Sequence, residues 1–111
     1  MAAADQLLER NVPFTALVAS NDEMAIGAIK RLIECNIAVP GQVSVIGFDD
    51  IPLAPYITPS LSSMKLPVTE MIDETINRLL TMLDGGDWHT QAPFTASLML
   101  RDSVTKGPVT D

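Results

Sequence analysis

Polar side chains that could hold a ligand with several hydroxyl groups follow two apolar segments of this sequence. Asn21 stands within Ser20-Asn21-Asp22 after the run FTALVA, and Asp49 and Asp50 come directly after VSVIGF. A carboxylate accepts hydrogen bonds from two neighbouring hydroxyls, whereas an amide both donates and accepts. Hydrogen bonds to a charged group contribute about 1.5–3 kcal/mol each. These residue types therefore suit the binding of a polyol.

The same residues also have a purely structural interpretation. Serine, asparagine and aspartate at the start of a helix accept hydrogen bonds from backbone N–H groups, and Glu23 completes such a signature three residues after Ser20. Asp49 and Asp50 are typical residues for the start of a turn. Because one residue can cap a helix while its neighbour binds a ligand, both interpretations stay open on spacing alone.

Catalytic and metal chemistry have little support in the sequence. There is no Ser-His-Asp arrangement, no glycine-rich phosphate loop and no metal-ligand spacing, so we expect no catalytic residue, metal, cofactor or enzyme activity. His89, the only histidine, stands beside Trp88 in a polar segment and is expected to be solvated. Cys35 is the only cysteine, which excludes an intramolecular disulfide, and we expect it to be packed or interfacial.

A phosphoacceptor receiver domain is one alternative that would use the acidic residues. Receiver domains gather carboxylates around Mg²⁺ at strand ends and place a lysine on a later strand. Asp22, Asp49, Asp50 and Lys65 could imitate that set. The order differs, however, because receiver domains carry the paired acids first and the acceptor aspartate later. The predicted strands are also too few.

Composition indicates one globular unit with an aliphatic core. The 111 residues are 47% hydrophobic and only 5% aromatic. The net charge of −7 disfavours contact of this segment with nucleic-acid phosphates. No apolar run is long enough to cross a bilayer, and the start, MAAADQLLER, lacks the features of a signal peptide. We therefore expect a cytoplasmic protein with no membrane partner.

Hydrophobic periodicity predicts an alternation of strands and helices. The predicted helices span residues 3–10, 22–35 and 67–83, and the predicted strands span residues 14–19, 43–48, 61–66 and 94–100. The second strand is apolar on both faces, which is typical of a parallel sheet covered by helices. The expected fold class is α/β, with a mainly parallel sheet flanked by helices. Ligands of such sheets bind beyond the carboxyl ends of strands, which is where the polar clusters fall.

Two segments, VASNDEMAIGA (residues 18–28) and VSVIGFDD (residues 43–50), resemble the lactose/galactose repressor family. The resemblance continues through PSLSS (residues 59–63) and LRDS (residues 100–103), at consistent spacing over nearly the whole chain. Members carry an N-terminal helix-turn-helix, a hinge and a two-lobed effector domain of the periplasmic-binding-protein-like (type I) fold. The resemblance implies the C-terminal part of such an effector domain, without the DNA-binding domain through which operator DNA is bound.

The resemblance also implies roles for individual residues. The effector would be a small sugar or glycoside, held by Asn21 and Asp49, while Asp50 forms the turn. Members form homodimers through the helix that begins near Asn21 and the irregular segment after the aspartates. In this sequence those regions supply Ile26, Ile29, Lys30, Ile51, Leu53, Tyr56 and Ile57.

The resemblance divides the chain between two lobes. Residues 1–65 would belong to the C-terminal effector-binding lobe, residues 66–97 would form a helix and strand that return to the N-terminal lobe, and residues 98–111 would be the final strand and tail. Unpaired sheet edges and bare apolar faces would then favour a swapped or otherwise extensive dimer. The main alternative is a periplasmic-type sugar-binding protein for transport or sensing, which would need an export signal.

Overall fold

The structure is a computed structural model that describes residues 2–86 and 93–108. The helices are α1 (Ala2–Glu9), α2 (Asp22–Glu34) and α3 (Val68–Leu83), and the strands are β1 (Ala16–Val18), β2 (Ser44–Phe48), β3 (Ser62–Lys65) and β4 (Ser97–Met99). A 3₁₀ turn, Ala54–Tyr56, lies in the proline-containing segment between β2 and β3. None of the described helices is long and apolar enough to cross a membrane.

The four strands form one sheet in the order β1-β2-β3-β4. β1 and β2 are parallel, with Leu17 opposite Val45, and β2 and β3 are parallel, with Gly47 opposite Ser63. This arrangement confirms the predicted α/β class with a mainly parallel sheet. β1 and β4 are shorter than the predicted strands 14–19 and 94–100, because an apolar residue beside a strand has the same local pattern as one within its regular pairing. Ala19, directly after β1, is buried in the core, and its N–H still donates to the carbonyl of Ile46 at 2.9 Å.

The helix α2 packs on the sheet through an apolar stripe. Ala25 and Leu32 of this stripe are fully buried, whereas Ile33 is 48% exposed. Ile33 lies at the rim of that stripe, since consecutive helical residues are about 100° apart. Asn36 follows the C-cap residue Cys35 with a φ of 61°, the left-handed conformation in which many helices end. The core consists of Ala19, Ala25, Ile29, Leu32, Val43, Val45, Ala54 and Leu61.

The chain forms two compact units, residues 1–65 with 98–111 and residues 66–97. The first unit contains the core described above. In the second, α3 has no buried residue, and its C-terminal Leu83 is 74% exposed. The assignment of residues 1–65 and 66–97 to different lobes stays a prediction. The polar segment predicted around Trp88 and His89 lies outside the described residues.

Candidate functional site

Strand register places Asn21 and Asp49 at the same edge of the sheet. Val18, the last residue of β1, is paired with Ile46 of the parallel strand β2. Asn21 and Asp49 each follow that pair by three residues, so both leave the sheet at its carboxyl edge. The parallel order therefore brings the two predicted polar clusters to one side of the fold, as expected from the sequence.

Asn21 is the residue that caps α2. Its backbone is extended, and its Oδ1 accepts a hydrogen bond from the N–H of Met24 at 2.9 Å. The cap is thus one residue later than the signature beginning at Ser20 indicated, and Ser20 itself is exposed. Capping uses only the oxygen of the Asn21 amide. Its Nδ2 has no hydrogen-bond partner among the described residues, so this donor remains available to a ligand.

Asp22 is an internal structural carboxylate and neither caps the helix nor faces solvent. It is completely buried, and both of its oxygens accept hydrogen bonds from the protein. Oδ1 accepts from Ser63 Oγ at 2.6 Å, and Oδ2 accepts from the N–H of Ile51 at 2.8 Å. Sequence reasoning missed this role. Its available signal was Gly47 within a β-branched strand, since a glycine there often marks a close approach. A Cβ at Gly47 would lie 2.2 Å from Asp22 Oδ1.

Asp49 and Asp50 adopt unusual backbone conformations where the chain leaves β2. Their φ angles are 109° and 55°, in the region that favours glycine. Each such non-glycine residue costs about 1–3 kcal/mol, and conformations of this kind concentrate at binding sites. The N–H of Asp49 donates to the carbonyl of Met64 at 2.9 Å. The Asp49 side chain is exposed and has no hydrogen-bond or ion-pair partner within the described part of the chain.

The Asp50 carboxylate, in contrast, is occupied by Arg101. Arg101 Nη2 lies 2.8 Å from Asp50 Oδ1, and the two side chains are only 17% and 9% exposed. The guanidinium N–H does not point at that oxygen, so the contact is an ion pair without a hydrogen bond. Arg101 is itself fixed, since its Nη1 donates to the carbonyl of Leu61 at 2.7 Å. Of the two adjacent aspartates, Asp49 is therefore the one whose carboxylate is free for a ligand.

The acidic residues do not form a metal centre in the described ranges 2–86 and 93–108. No three carboxylate, histidine or cysteine side chains there converge on a point where an ion could bind. Asp22 has both oxygens engaged by protein groups, and Asp50 faces Arg101. The receiver-domain alternative therefore has no geometric support.

The residues predicted to lie in a dimer interface differ widely in exposure. Tyr56 is 81% exposed and Leu53 is 53% exposed, whereas Ile29 is 3% exposed and belongs to the core. Ile29 consequently has almost no surface to offer a partner. Lys30 is exposed, and three further side chains are partly buried against the core, namely Ile26, Ile51 and Ile57.

Comparisons with known proteins identify the domain type and close relatives. The periplasmic binding protein-like domain family matches residues 1–104. The chain is 62% identical over 100 residues to the HTH-type transcriptional regulator AscG of Escherichia coli K12. That match covers 90% of this chain but only 30% of AscG. The chain thus spans less than a third of the length of this relative.

Two solved structures share the fold. A LacI family transcriptional regulator from Arthrobacter sp. FB24, in complex with lactose, has a TM-score of 0.79 and 31% identity, covering 94% of this chain and 40% of that one. The lac repressor dimer bound to operator and the anti-inducer ONPF has a TM-score of 0.85 and 26% identity, covering 93% and 36%. These proteins are regulators of transcription, in agreement with the expectation that the chain is not an enzyme.

Proposed function

Because the chain belongs to the LacI family of transcriptional regulators, within their periplasmic-binding-protein-like effector domain, we propose that it binds a small sugar or glycoside through Asn21 and Asp49. One observation carries this proposal. At the carboxyl edge of the sheet, the Asp49 carboxylate and the Asn21 amide donor have no partner within residues 2–86 and 93–108, while the adjacent Asp22 and Asp50 are engaged by the protein. A carboxylate and an amide together match the donor and acceptor pattern of neighbouring sugar hydroxyls.

In the proposed regulator, the sugar acts by shifting a population of conformations. An effector that binds one arrangement of the two lobes more tightly moves the equilibrium towards it, and the affinity for operator DNA changes accordingly. This acidic chain, with a net charge of −7, contributes to effector binding and leaves the DNA contact to a separate domain. Because a regulator must reach operator DNA, we include a cytoplasmic location in the same proposal.

We further propose a homodimer formed by the outer face of α2 and the segment after the aspartates. Tyr56 and Leu53 supply exposed apolar surface, and Lys30 lies on the exposed side of α2. Ile26, Ile51 and Ile57 support this surface from partly buried positions. Ile29 is assigned to the core and not to the contact. Tyrosine is enriched among the residues that dominate interface energy, so Tyr56 is expected to be the main anchor.

The test of effector binding is calorimetric titration with glucose, ribose, cellobiose, salicin and lactose. Two proteins are titrated, this chain and a chimera in which residues 1–104 replace the matching region of E. coli AscG. Asp49→Ala should reduce the affinity for the bound sugar by at least about tenfold, because one charge-assisted hydrogen bond contributes about 1.5–3 kcal/mol. Asp73→Ala, which removes an exposed carboxylate of α3, is the matched control and should leave the affinity unchanged.

Two results would contradict the proposal. One is that neither protein binds any of the five sugars. The other is that a sugar binds with equal affinity to the Asp49→Ala and Asp73→Ala variants while both remain folded by circular dichroism.

A further inference from the structure

We propose that Asp22 and Ser63 form a buried clamp that positions Asp49 for the effector. Neither side chain touches the proposed ligand directly, so both are positioning residues. This inference rests on the proposed function, because it assigns the clamp to the sugar site at the carboxyl edge of the sheet. Both residues hold the backbone of the turn at residues 49–51.

Three consecutive backbone N–H groups of this turn are anchored to other parts of the fold. The N–H of Asp49 donates to a main-chain carbonyl of β3, that of Met64. The next two N–H groups donate hydrogen bonds to the side chains of the clamp. The N–H of Asp50 donates to Ser63 Oγ at 3.0 Å, and the N–H of Ile51 donates to Asp22 Oδ2 at 2.8 Å. Two of the three anchors are therefore side chains that a substitution can remove.

The two clamp residues are bonded to each other and are shielded from water. Both are 0% exposed, and the Ser63 hydroxyl donates to Asp22 Oδ1 at 2.6 Å. Because the single hydroxyl proton is committed to the carboxylate, the oxygen of Ser63 is oriented to accept from Asp50. Hydrogen bonds to a buried carboxylate are the shorter and stronger kind, and bonds in series reinforce one another.

The clamp binds the turn at and next to the residues with strained backbone conformations. The positive φ angles of Asp49 and Asp50 are conformations that persist only when surrounding contacts impose them. Gly47, the residue of β2 opposite Ser63, makes room for the Asp22 carboxylate, since a Cβ there would overlap Oδ1. If the clamp is removed, the turn can relax, and the Asp49 carboxylate then loses the fixed direction that hydrogen bonding to two sugar hydroxyls requires.

Ser63→Ala tests the clamp, and Ser103→Ala is its matched control. The hydroxyl of Ser103 is also fully buried, accepts one backbone N–H (Ser62, 2.9 Å) and donates to one oxygen (the carbonyl of Val45). Each variant thus removes one buried hydroxyl with one bond of each kind. Of these two serines, Ser63 is the one that contacts the turn at residues 49–51.

The readouts are amide hydrogen exchange by NMR and the affinity for the sugar that binds in the titrations above. In Ser63→Ala, exchange at the amides of Asp50 and Ile51 should accelerate by at least about tenfold, as expected for local opening of an anchored segment. The sugar affinity should fall by a similar factor. Ser103→Ala should lower the unfolding midpoint comparably but leave both turn exchange and sugar affinity near wild type.

Conservative and disruptive changes at Asp22 give an independent comparison. Asp22→Asn keeps an oxygen for the N–H of Ile51 and a polar partner for Ser63, whereas Asp22→Ala removes both. We expect Asp22→Asn to retain most of the sugar affinity and Asp22→Ala to lose it.

The outcomes separate failure of the clamp from failure of the proposed function. If neither the wild-type chain nor the wild-type AscG chimera binds any of the sugars, the proposed function is overturned, and the proposed role of the clamp is overturned with it. If wild type binds and Ser63→Ala binds equally well, the clamp alone is overturned. Equal losses of affinity in Ser63→Ala and Ser103→Ala would also overturn it, since general destabilisation would then explain the effect.

Discussion

At the scale of single residues, Asp22, Asp49 and Asp50 carry the same carboxylate group in three different surroundings. Asp22 is completely buried and accepts two hydrogen bonds from the protein. Asp50 pairs with Arg101 at 2.8 Å. Asp49 is exposed, with no side-chain partner among the described residues. The residue type is the same in all three cases. The tertiary contacts of each carboxylate therefore distinguish the structural residues Asp22 and Asp50 from Asp49, the candidate ligand-binding residue.

The first residue-scale prediction concerns the space beside Asp22. A Cβ at Gly47 would lie 2.2 Å from Asp22 Oδ1 and 3.2 Å from the Cβ of Ala25. Gly47→Ala should lower the free energy of unfolding by about 1–3 kcal/mol, the usual cost of overpacking a core. Urea denaturation followed by circular dichroism measures the change.

The control for this substitution is Gly107→Ala, because no atom lies within 4 Å of a Cβ built there. Its unfolding curve should overlay that of wild type. Superimposable curves for Gly47→Ala and Gly107→Ala would show that the close approach at Gly47 is relieved at no cost.

At the scale of elements, the start of α2 combines two functions in one residue. The Oδ1 atom of Asn21 caps the helix, while Nδ2 is unpartnered within the described ranges and is proposed to meet the effector. Capping and binding, which spacing alone left as alternatives, are thus compatible because they use different atoms of one amide. Two substitutions at this position separate them.

Asn21→Ala should cost about 1 kcal/mol of stability, since the N–H of Met24 loses its acceptor. Asn21→Asp keeps an oxygen acceptor and adds a negative charge at the helix N-terminus, so its stability should stay within a few tenths of a kcal/mol of wild type or better. Both variants lack the amide donor, and both should bind the sugar more weakly. Thermal unfolding and calorimetric titration measure the two effects separately.

If the sugar affinities of the two variants change in parallel with their stabilities, the separate roles of Oδ1 in capping and Nδ2 in binding are contradicted. In that case Asn21→Asp would bind as wild type does, and only Asn21→Ala would be impaired. Asn21 would then be a helix cap alone.

A second element-scale prediction concerns the end of α3. Gly85 adopts a φ of 83° directly after the C-cap residue Asp84, and its N–H donates to the carbonyl of Met82. Gly85→Ala should destabilise this helix end by about 1–2 kcal/mol, because a β-carbon disfavours the left-handed conformation. Gly85→Asn should cost less, since asparagine visits that region more readily. The loss of ellipticity at 222 nm on heating compares the variants, and identical melting curves for both would contradict the assignment.

At the scale of the whole molecule, exposed apolar side chains indicate association. Tyr56 is 81% exposed and Leu53 is 53% exposed on one continuous segment, and patches of this kind mark interaction sites. We expect the chain to form a dimer, and Tyr56→Asp should increase its dissociation constant at least tenfold. The reason is that a central tyrosine commonly contributes roughly 2 kcal/mol or more to the stability of an interface. Sedimentation equilibrium measures the constant.

Val12→Asp provides the matched comparison, because Val12 is also largely exposed, at 64%, but lies outside the proposed interface. Its dissociation constant should equal that of wild type. If the two aspartate variants weaken the dimer equally, or if neither does, the association uses a different surface.

The sequence by itself determined the elements and the family. Helical and strand periodicity are local properties, so α2, α3 and the three parallel strands were predicted to within a few residues of their ends. The motifs around Asn21 and Asp49 identified the family because their types and spacing can be compared without coordinates. The short strand β4 was predicted less well, since an apolar residue beside a strand has the same local pattern as one within its regular pairing.

Only the tertiary structure decided which polar groups are engaged. Asp22 and Ser63 are 41 positions apart in the sequence, and Arg101 reaches Asp50 from still further along the chain. No periodicity encodes such contacts, because they arise when parallel pairing brings β3 beside β2 and the final segment beside β3. Those contacts leave the Asp49 carboxylate without a partner in the part of the chain that the structure describes. The physical reason is that a buried polar group must find a partner wherever the fold supplies one, and that choice is not local.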